Sequence, residues 1–370
     1  MKLETFKLER TQSLWENTVE YNLTETGIHP FTLEELLDPS EIAKLHSLRL
    51  GYGQTNGSIE LRETICTMYQ NTTLDNVLVT NGSIEANFVA MWSLLNPGDE
   101  LVLMLPNYMQ IWGIARSFGF DVKPFYLKEE LGWQPDINEL KKLVSSKTKM
   151  IAVCNPNNPT GAVLSQKNML EIVQLAKESD AWLYADEIYR GAELSGEETQ
   201  TFFGMYEKVV VAGGLSKAYA LPGLRIGWLV GPVQNIADMW ARRDYTTIAT
   251  TILSNRIATL ALQPSMRKNI LTRGRKILNE NISVLKEWAD GHHGLFSFIA
   301  PQAGGMVFLS YTMNINSTEL TTKLRKEKST FIVAGDCFGM DRRVRIGIGS
   351  EGEYLQAGLN RISETLEEIR

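Results

Sequence analysis

The chain has 370 residues, 44% of them hydrophobic and 22% charged, with 29 Gly and 12 Pro; at roughly 100–200 residues per domain these values describe a two-lobed globular protein and exclude collagen-like, low-complexity and disordered chains. A net charge of −6 argues against a nucleic-acid binder, which shows a basic excess. Cys66, Cys154 and Cys337 are scattered with no CxxC pair, so a disulfide framework is not expected and a reducing compartment is the default.

The first ten residues are charged throughout and carry no apolar h-region, so no signal peptide is expected. No run approaches the roughly 18 apolar residues of a membrane span, and the expected location is the cytoplasm. Short apolar runs then follow at residues 77–80, 101–105, 150–153, 182–185, 209–212 and 226–230, with helical patterns between several of them, as at 85–95 and 166–179. Short unbroken apolar strands alternating with helices predict an α/β fold whose sheet is mostly parallel and buried on both faces. Past residue 232 a long helical stretch carries Arg242, Arg243, Arg256, Lys268, Arg273, Arg275 and Lys276. Strands are expected at 296–299 and 306–311, and a last amphipathic helix at 354–370. The expected division is a large α/β domain over 40–255 and a smaller α+β domain built from 1–39 and 256–370.

In an open parallel sheet, ligands bind beyond the carboxyl ends of the strands. The residues that follow each run are therefore informative. Thr80 is followed by Asn81, Gly82, Ser83 and Ile84; Leu105 by Pro106, Asn107 and Tyr108; Val153 by Cys154-Asn-Pro-Asn-Asn-Pro-Thr-Gly161. Ala185 is followed by Asp186-Glu-Ile-Tyr189, and Ala212 by Gly213-Gly-Leu-Ser216-Lys217, with Arg225 eight residues later. Singly, each has an ordinary explanation. Gly82-Ser83 caps a helix, Asn158 makes a turn, Tyr108 packs in a loop, and Lys217 is a solvated lysine. Asp186 is less ordinary, because a carboxylate beside a buried strand end needs a partner. Five strand ends converge on a helix cap, an aromatic, an amide, a carboxylate and a lysine.

Pyridoxal phosphate is the cofactor that needs this set. A lysine amine forms a Schiff base with its aldehyde. A carboxylate keeps the pyridine nitrogen protonated and so makes the ring an electron sink. Backbone N–H groups, hydroxyls and an arginine neutralise the phosphate.

On Asn155-Pro-Asn-Asn-Pro-Thr-Gly161, Asp186-Glu-Ile-Tyr189, and Ser216-Lys217 followed by Pro222-Gly-Leu-Arg225-Ile-Gly227, the chain resembles the class I/II aminotransferases, fold-type-I pyridoxal-phosphate enzymes, over roughly residues 50–350. The resemblance implies an aspartate-aminotransferase-like architecture with a seven-stranded-type sheet. It implies that Lys217 carries the Schiff base and moves the Cα proton, that Asp186 pairs with the ring nitrogen, and that Asn158 and Tyr189 reach the ring oxygen. It further places Tyr108 on the ring, and Gly82, Ser83, Ile84, Ser216 and Arg225 around the phosphate. Arg345, in Arg343-Val-Arg-Ile-Gly347, matches the arginine that grips the substrate α-carboxylate, joined there by Gly27 and Asn158; a bidentate fork suits that task. Arg343 shares its strand face and is read as structural. Tyr52 matches a tyrosine that reaches the neighbouring subunit's phosphate, which implies a homodimer with shared active sites. One departure stands out: many members have Ser or Thr three residues before the lysine, where this chain has Gly214.

Other motifs are set aside. Gly51-Tyr-Gly53 breaks the dinucleotide pattern at Asn56. His29, His46, His292 and His293 have no metal-ligand spacing. Residues 1–40 are too short and acidic for the DNA-binding module of a pyridoxal-phosphate sensor. The implied reaction is transfer of an amino group from an L-amino acid to a 2-oxo acid. Residues 81–87, the loop 104–116 and the segment 316–320 also look like the capreomycidine synthase branch, which eliminates water from a β-hydroxylated arginine and closes a ring. A guanidinium pocket needs carboxylates, and Glu25 and Glu187 are the candidates.

Overall fold

A computed structural model describes residues 4–369 of the chain. Residues 1–3 and Arg370, at the ends of the expected small domain and last helix, lie outside the described residues. A helix, Lys7–Trp15, precedes the first short strand β1 (Tyr21–Asn22). The large sheet is built from β2 (Val77–Thr80), β3 (Glu100–Leu105), β4 (Asp121–Lys128), β5 (Gln134–Pro135), β6 (Thr148–Cys154), β7 (Trp182–Asp186), β8 (Val209–Gly214) and β9 (Gly227–Val230). A second sheet holds β10 (Phe296–Ser297), β11 (Met306–Tyr311), β13 (Val333–Ala334) and β14 (Arg343–Gly347), while β12 (Thr330–Phe331) pairs with β1.

The large sheet has the order β2-β9-β8-β7-β6-β3-β4-β5. Strands β8, β7, β6, β3 and β4 run parallel, and β9 is antiparallel to both its neighbours. The expected α/β, mostly parallel sheet is present, extended at one edge by the two-residue β5. Most of its strands are nearly continuous apolar runs because both faces are covered. Val77 and Val79 pack into one core cluster and Leu78 into the other.

Strand β4 escaped the pattern of short apolar runs. It carries Asp121, Lys123 and Pro124 and is mostly half-buried, because β5 covers only its last two residues; an edge position tolerates proline and charge. The long basic helical stretch is three helices, Val233–Arg243, Ile252–Ala261 and Pro264–Gly291. The break falls where Thr251 caps the second helix through Ser254 N and Pro264 opens the third.

The N-terminal segment belongs to the second sheet's neighbourhood. Tyr21 pairs with Thr330, Gly347 N donates to Leu23 O at 2.7 Å, and Gly305 N donates to Thr26 O at 3.1 Å. This path carries residues 23–28 across the carboxyl ends of the large-sheet strands. Gly27 permits the crossing, because a Cβ there would stand 2.9 Å from Ser216 O.

Candidate active site

The strand ends and the N-terminal segment enclose a cavity of about 210 Å³. Lys217, Asp186, Tyr189, Asn158, Tyr108 and Ser216 line it, with Ser83, Ile84, Arg225 and Arg345. The expected residues from five separate strand ends thus share one space. Gly27 lies against Lys217, its absent Cβ 3.7 Å from the lysine Cδ. Tyr52 is the exception: it is 91% exposed and stands outside this cavity.

Asp186 ends β7 and is buried. It accepts from Asn87 Nδ2 at 3.0 Å and from Ile188 N at 3.1 Å. Burial pushes its carboxyl upward, opposed by those two bonds and by the Lys217 charge; a cationic N–H placed against it would favour the ionised form. Asn87 is in turn held by Gln110, whose Oε1 accepts from Nδ2 at 3.0 Å, and by the Tyr184 hydroxyl. Asn87 lies one helical turn beyond Ser83 on the helix Gly82–Leu94, and that spacing is the signal by which it could have been found.

That helix opens on Gly82 at φ +75°, where a Cβ would stand 2.6 Å from Arg225 Nη2. Asn81 makes no side-chain cap, so the first-turn N–H groups remain available to an anion. Gly227 packs as closely, its missing Cβ 2.5 Å from Ser83 N. The cradle is therefore shaped by glycine on two sides, with Arg225 and Ser83 at its rim. Gly214 is also explained by space: a Cβ would lie 2.8 Å from Ile188 Cδ1 and 3.1 Å from Ile226 O, so a hydroxyl-bearing residue has no room without a shift of Ile188.

Tyr189 is buried, and its hydroxyl contacts Thr26 Oγ1 at 2.7 Å and accepts from Asn158 Nδ2 at 3.0 Å. The Asn158 Oδ1 accepts from Arg345 Nη1 at 2.9 Å, and Arg345 Nη2 donates to Thr24 O at 2.8 Å. The Arg345 Nε is buried without a hydrogen-bond partner, a guanidinium edge suited to a carboxylate. Arg343, two residues earlier on β14, instead pairs with Glu129 and lies over the Trp133 ring at 5.2 Å.

Lys217 Nζ stands 3.4 Å from Glu25 Oε2. Burial alone would lower the ammonium value, but Glu25 and Tyr189 outweigh it and leave it raised. Lys217, with Arg345 behind it, holds the Glu25 carboxyl below its ordinary value. The Tyr108 hydroxyl donates to Glu9 Oε1 at 2.5 Å. Glu9, Gln12 and Glu16, all lining the cavity from the N-terminal helix and its cap, were not anticipated from the sequence.

Glu187 is a correction. It does not reach the cavity, so of the two carboxylates considered for a guanidinium only Glu25 is in place. Successive residues leave a strand on opposite faces, and with Asp186 inward Glu187 turns toward Tyr69 and Arg190. Its Oε1 accepts from Thr201 Oγ1 at 2.9 Å and Phe202 N at 2.8 Å, while Oε2 is buried without a partner. Burial pushes this carboxyl from 4.5 to about 7, against the Arg190 charge. The folded state keeps the proton where the unfolded chain has lost it, so this group's stabilising contribution is full below about 4.5 and fades as pH rises to about 7. Glu187→Gln is expected to melt near the wild-type temperature at pH 5 and above it at pH 8. The gain is at most about 3 kcal/mol, at 1.36 kcal/mol per unit. Melting curves with the same wild-type-to-variant difference at both pH values would refute this.

Among the described residues no group of His, Cys, Asp and Glu is arranged to hold a metal, and no helix is long and apolar enough to cross a membrane. The donor set fits pyridoxal phosphate: a glycine-shaped anion cradle, a buried carboxylate short of a cationic partner, an Asn158–Tyr189 hydroxyl pair and a lysine amine.

Comparison with known proteins agrees. The family Aminotransferase class I and II matches residues 20–362. Capreomycidine synthase of Streptomyces vinaceus is 30% identical over 354 residues, 93% of this chain and 89% of that protein. The crystal structure of a PLP-dependent aminotransferase from Streptococcus suis 89-1591 superposes with a TM-score of 0.94 at 33% identity, covering 100% of this chain and 99% of that one. The PLP-dependent cyclase OrfR superposes with a TM-score of 0.91 at 25% identity, covering 100% and 98%.

Proposed function

The chain belongs to the class I and II aminotransferases, whose cofactor is pyridoxal phosphate, and on that basis we propose that it transfers the amino group of an L-amino acid to a 2-oxo acid. The observation that carries this reading is the meeting of Lys217, Asp186 and Arg345 in one cavity beside the open N-terminus of helix Gly82–Leu94. When bound, the cofactor supplies an aldehyde for the amine and an electron sink for electrons released at the substrate Cα. Lys217 is the nucleophile and the base that moves the Cα proton. Asp186, positioned by Asn87, holds a proton on the ring nitrogen. Asn158 and Tyr189 donate to the ring oxygen, and Tyr108 covers the ring. Gly82, Ser83, Ile84, Ser216 and Arg225 hold the phosphate. Arg345, with Asn158 and the space left by Gly27, orients the α-carboxylate.

In this proposal residues 40–255 form the cofactor domain, and 1–39 with 256–370 form the small domain. The exposed Tyr52 reaches the phosphate of a second copy, so the active unit is a homodimer.

A second reading, elimination of water from a β-hydroxylated arginine followed by ring closure, is favoured by one placement. Glu25 lines the cavity beside Lys217, where its ionised carboxylate can pair with a substrate guanidinium. The likeness to capreomycidine synthase extends over 93% of the chain. Visible absorbance of the cofactor-loaded enzyme, titrated with L-amino acids including 3-hydroxyarginine, separates the two readings when products are weighed by mass spectrometry. Transamination gives the amine form of the cofactor and a released 2-oxo acid. Loss of water without a 2-oxo acid, confined to hydroxylated guanidino substrates, would replace it by the second reading.

A further inference from the structure

The charges of the cavity do not balance on its N-terminal side. Arg225 faces the glycine-shaped anion cradle, Arg345 presents an unpartnered buried Nε to a carboxylate, and Lys217 is paired with Glu25. Among the described residues, those three are the basic side chains that line the cavity. The N-terminal helix and its cap add Glu9 and Glu16 to the lining, and neither makes an ion pair among the described residues. They lie seven residues apart on a continuous helical path, with Gln12 between them, and so share one face. Gln12 is buried and anchored by its Nε2 donating to Thr24 Oγ1 at 2.9 Å, and Glu9 is fixed by the Tyr108 hydroxyl. The face is therefore held toward the cavity by hydrogen bonds on both sides.

We propose that the site takes an amino acid whose side chain ends in a cation, a guanidinium or an ammonium group. Its carboxylate sits on Arg345 and its charged end on Glu9 and Glu16. The inference rests on reading the cavity as a pyridoxal-phosphate amino-acid site. Arg345 fixes one end of the ligand and Lys217 its α-carbon, which leaves the side chain to extend toward the helix Lys7–Trp15. Burial, together with Glu25 and Glu9, pushes the Glu16 carboxyl upward; a cation arriving there relieves like-charge repulsion. An acidic side chain would meet two carboxylates and no arginine.

The test uses the cofactor-loaded enzyme and measures half-saturation of the change in visible absorbance with L-arginine, L-ornithine, L-citrulline and L-glutamate. Citrulline matches arginine in shape and lacks its charge. Arginine or ornithine is expected to saturate at a concentration roughly 100-fold below citrulline, the scale of a charged hydrogen-bonded contact. Glutamate is expected to be weaker still. Glu16→Gln and Glu9→Gln are each expected to shrink the arginine-to-citrulline ratio by about 10-fold.

Equal or tighter response to citrulline or glutamate overturns the cationic specificity and leaves the cofactor reading standing. A loaded enzyme whose absorbance responds to no amino acid overturns that reading instead, and calorimetric binding of arginine against citrulline then decides the specificity. Should either variant fail to fold, the order of the four amino acids on the wild-type enzyme decides the specificity by itself.

Discussion

Lys217→Ala is expected to lose turnover by at least about 10⁴-fold, since it removes both the nucleophile and the base that moves the Cα proton. Among the described residues no other amine lines the cavity to replace it. The variant is also expected to retain cofactor without a covalent link. Borohydride reduction followed by intact-mass measurement should add the cofactor's mass to the wild-type chain and nothing to the variant. The surrounding fold should survive, because the lysine ammonium bonds only to the half-exposed Glu25, at 3.4 Å, among the described residues. A variant that turns over normally, or still acquires the cofactor's mass, would place the chemistry elsewhere.

Arg345→Ala should separate substrate from cofactor. The guanidinium is buried on β14, bonded to Asn158 and Thr24, with Nε left over. Losing a charge-assisted fork to a carboxylate costs about 1.5–3 kcal/mol, so substrate half-saturation should rise roughly 10- to 100-fold. Cofactor affinity should fall far less, because Arg345 touches the cofactor's expected partners only through Asn158. Arg345→Lys restores the charge without the fork and should recover part of the loss. Equal weakening of substrate and cofactor would assign Arg345 to the scaffold. The variant also strands the Thr24 carbonyl, a stability cost of about 1–3 kcal/mol, so assays belong well below its melting temperature.

Much of this site was legible because the chemistry sits at the ends of apolar runs. Burial on both faces makes such strands continuous in sequence, and the chain must turn where they stop. Asp186, Lys217 and the Asn155–Gly161 loop are therefore flagged by local pattern. The same logic failed for β4, whose edge position permits Pro124 and Lys123, and it could not divide the basic stretch after residue 232 into three helices.

The α/β fold, the cofactor and the order of polar residues along the strand ends could all be read from the chain, because they follow from short-range periodicity and turn chemistry. Which carboxylates face the cavity could not. Asp186 and Glu187 are neighbours in the chain, yet only Asp186 reaches the cavity, since the pleat sends adjacent side chains to opposite faces and the register of β7 against β6 and β8 selects between them. Glu9, Glu16 and Glu25 approach Lys217 from the far end of the chain, brought there by the bonding of Leu23 and Thr26 to Gly347 and Gly305. Long-range packing of that kind leaves no periodic trace in the sequence, because it depends on the shape of the finished sheet rather than on spacing along the chain.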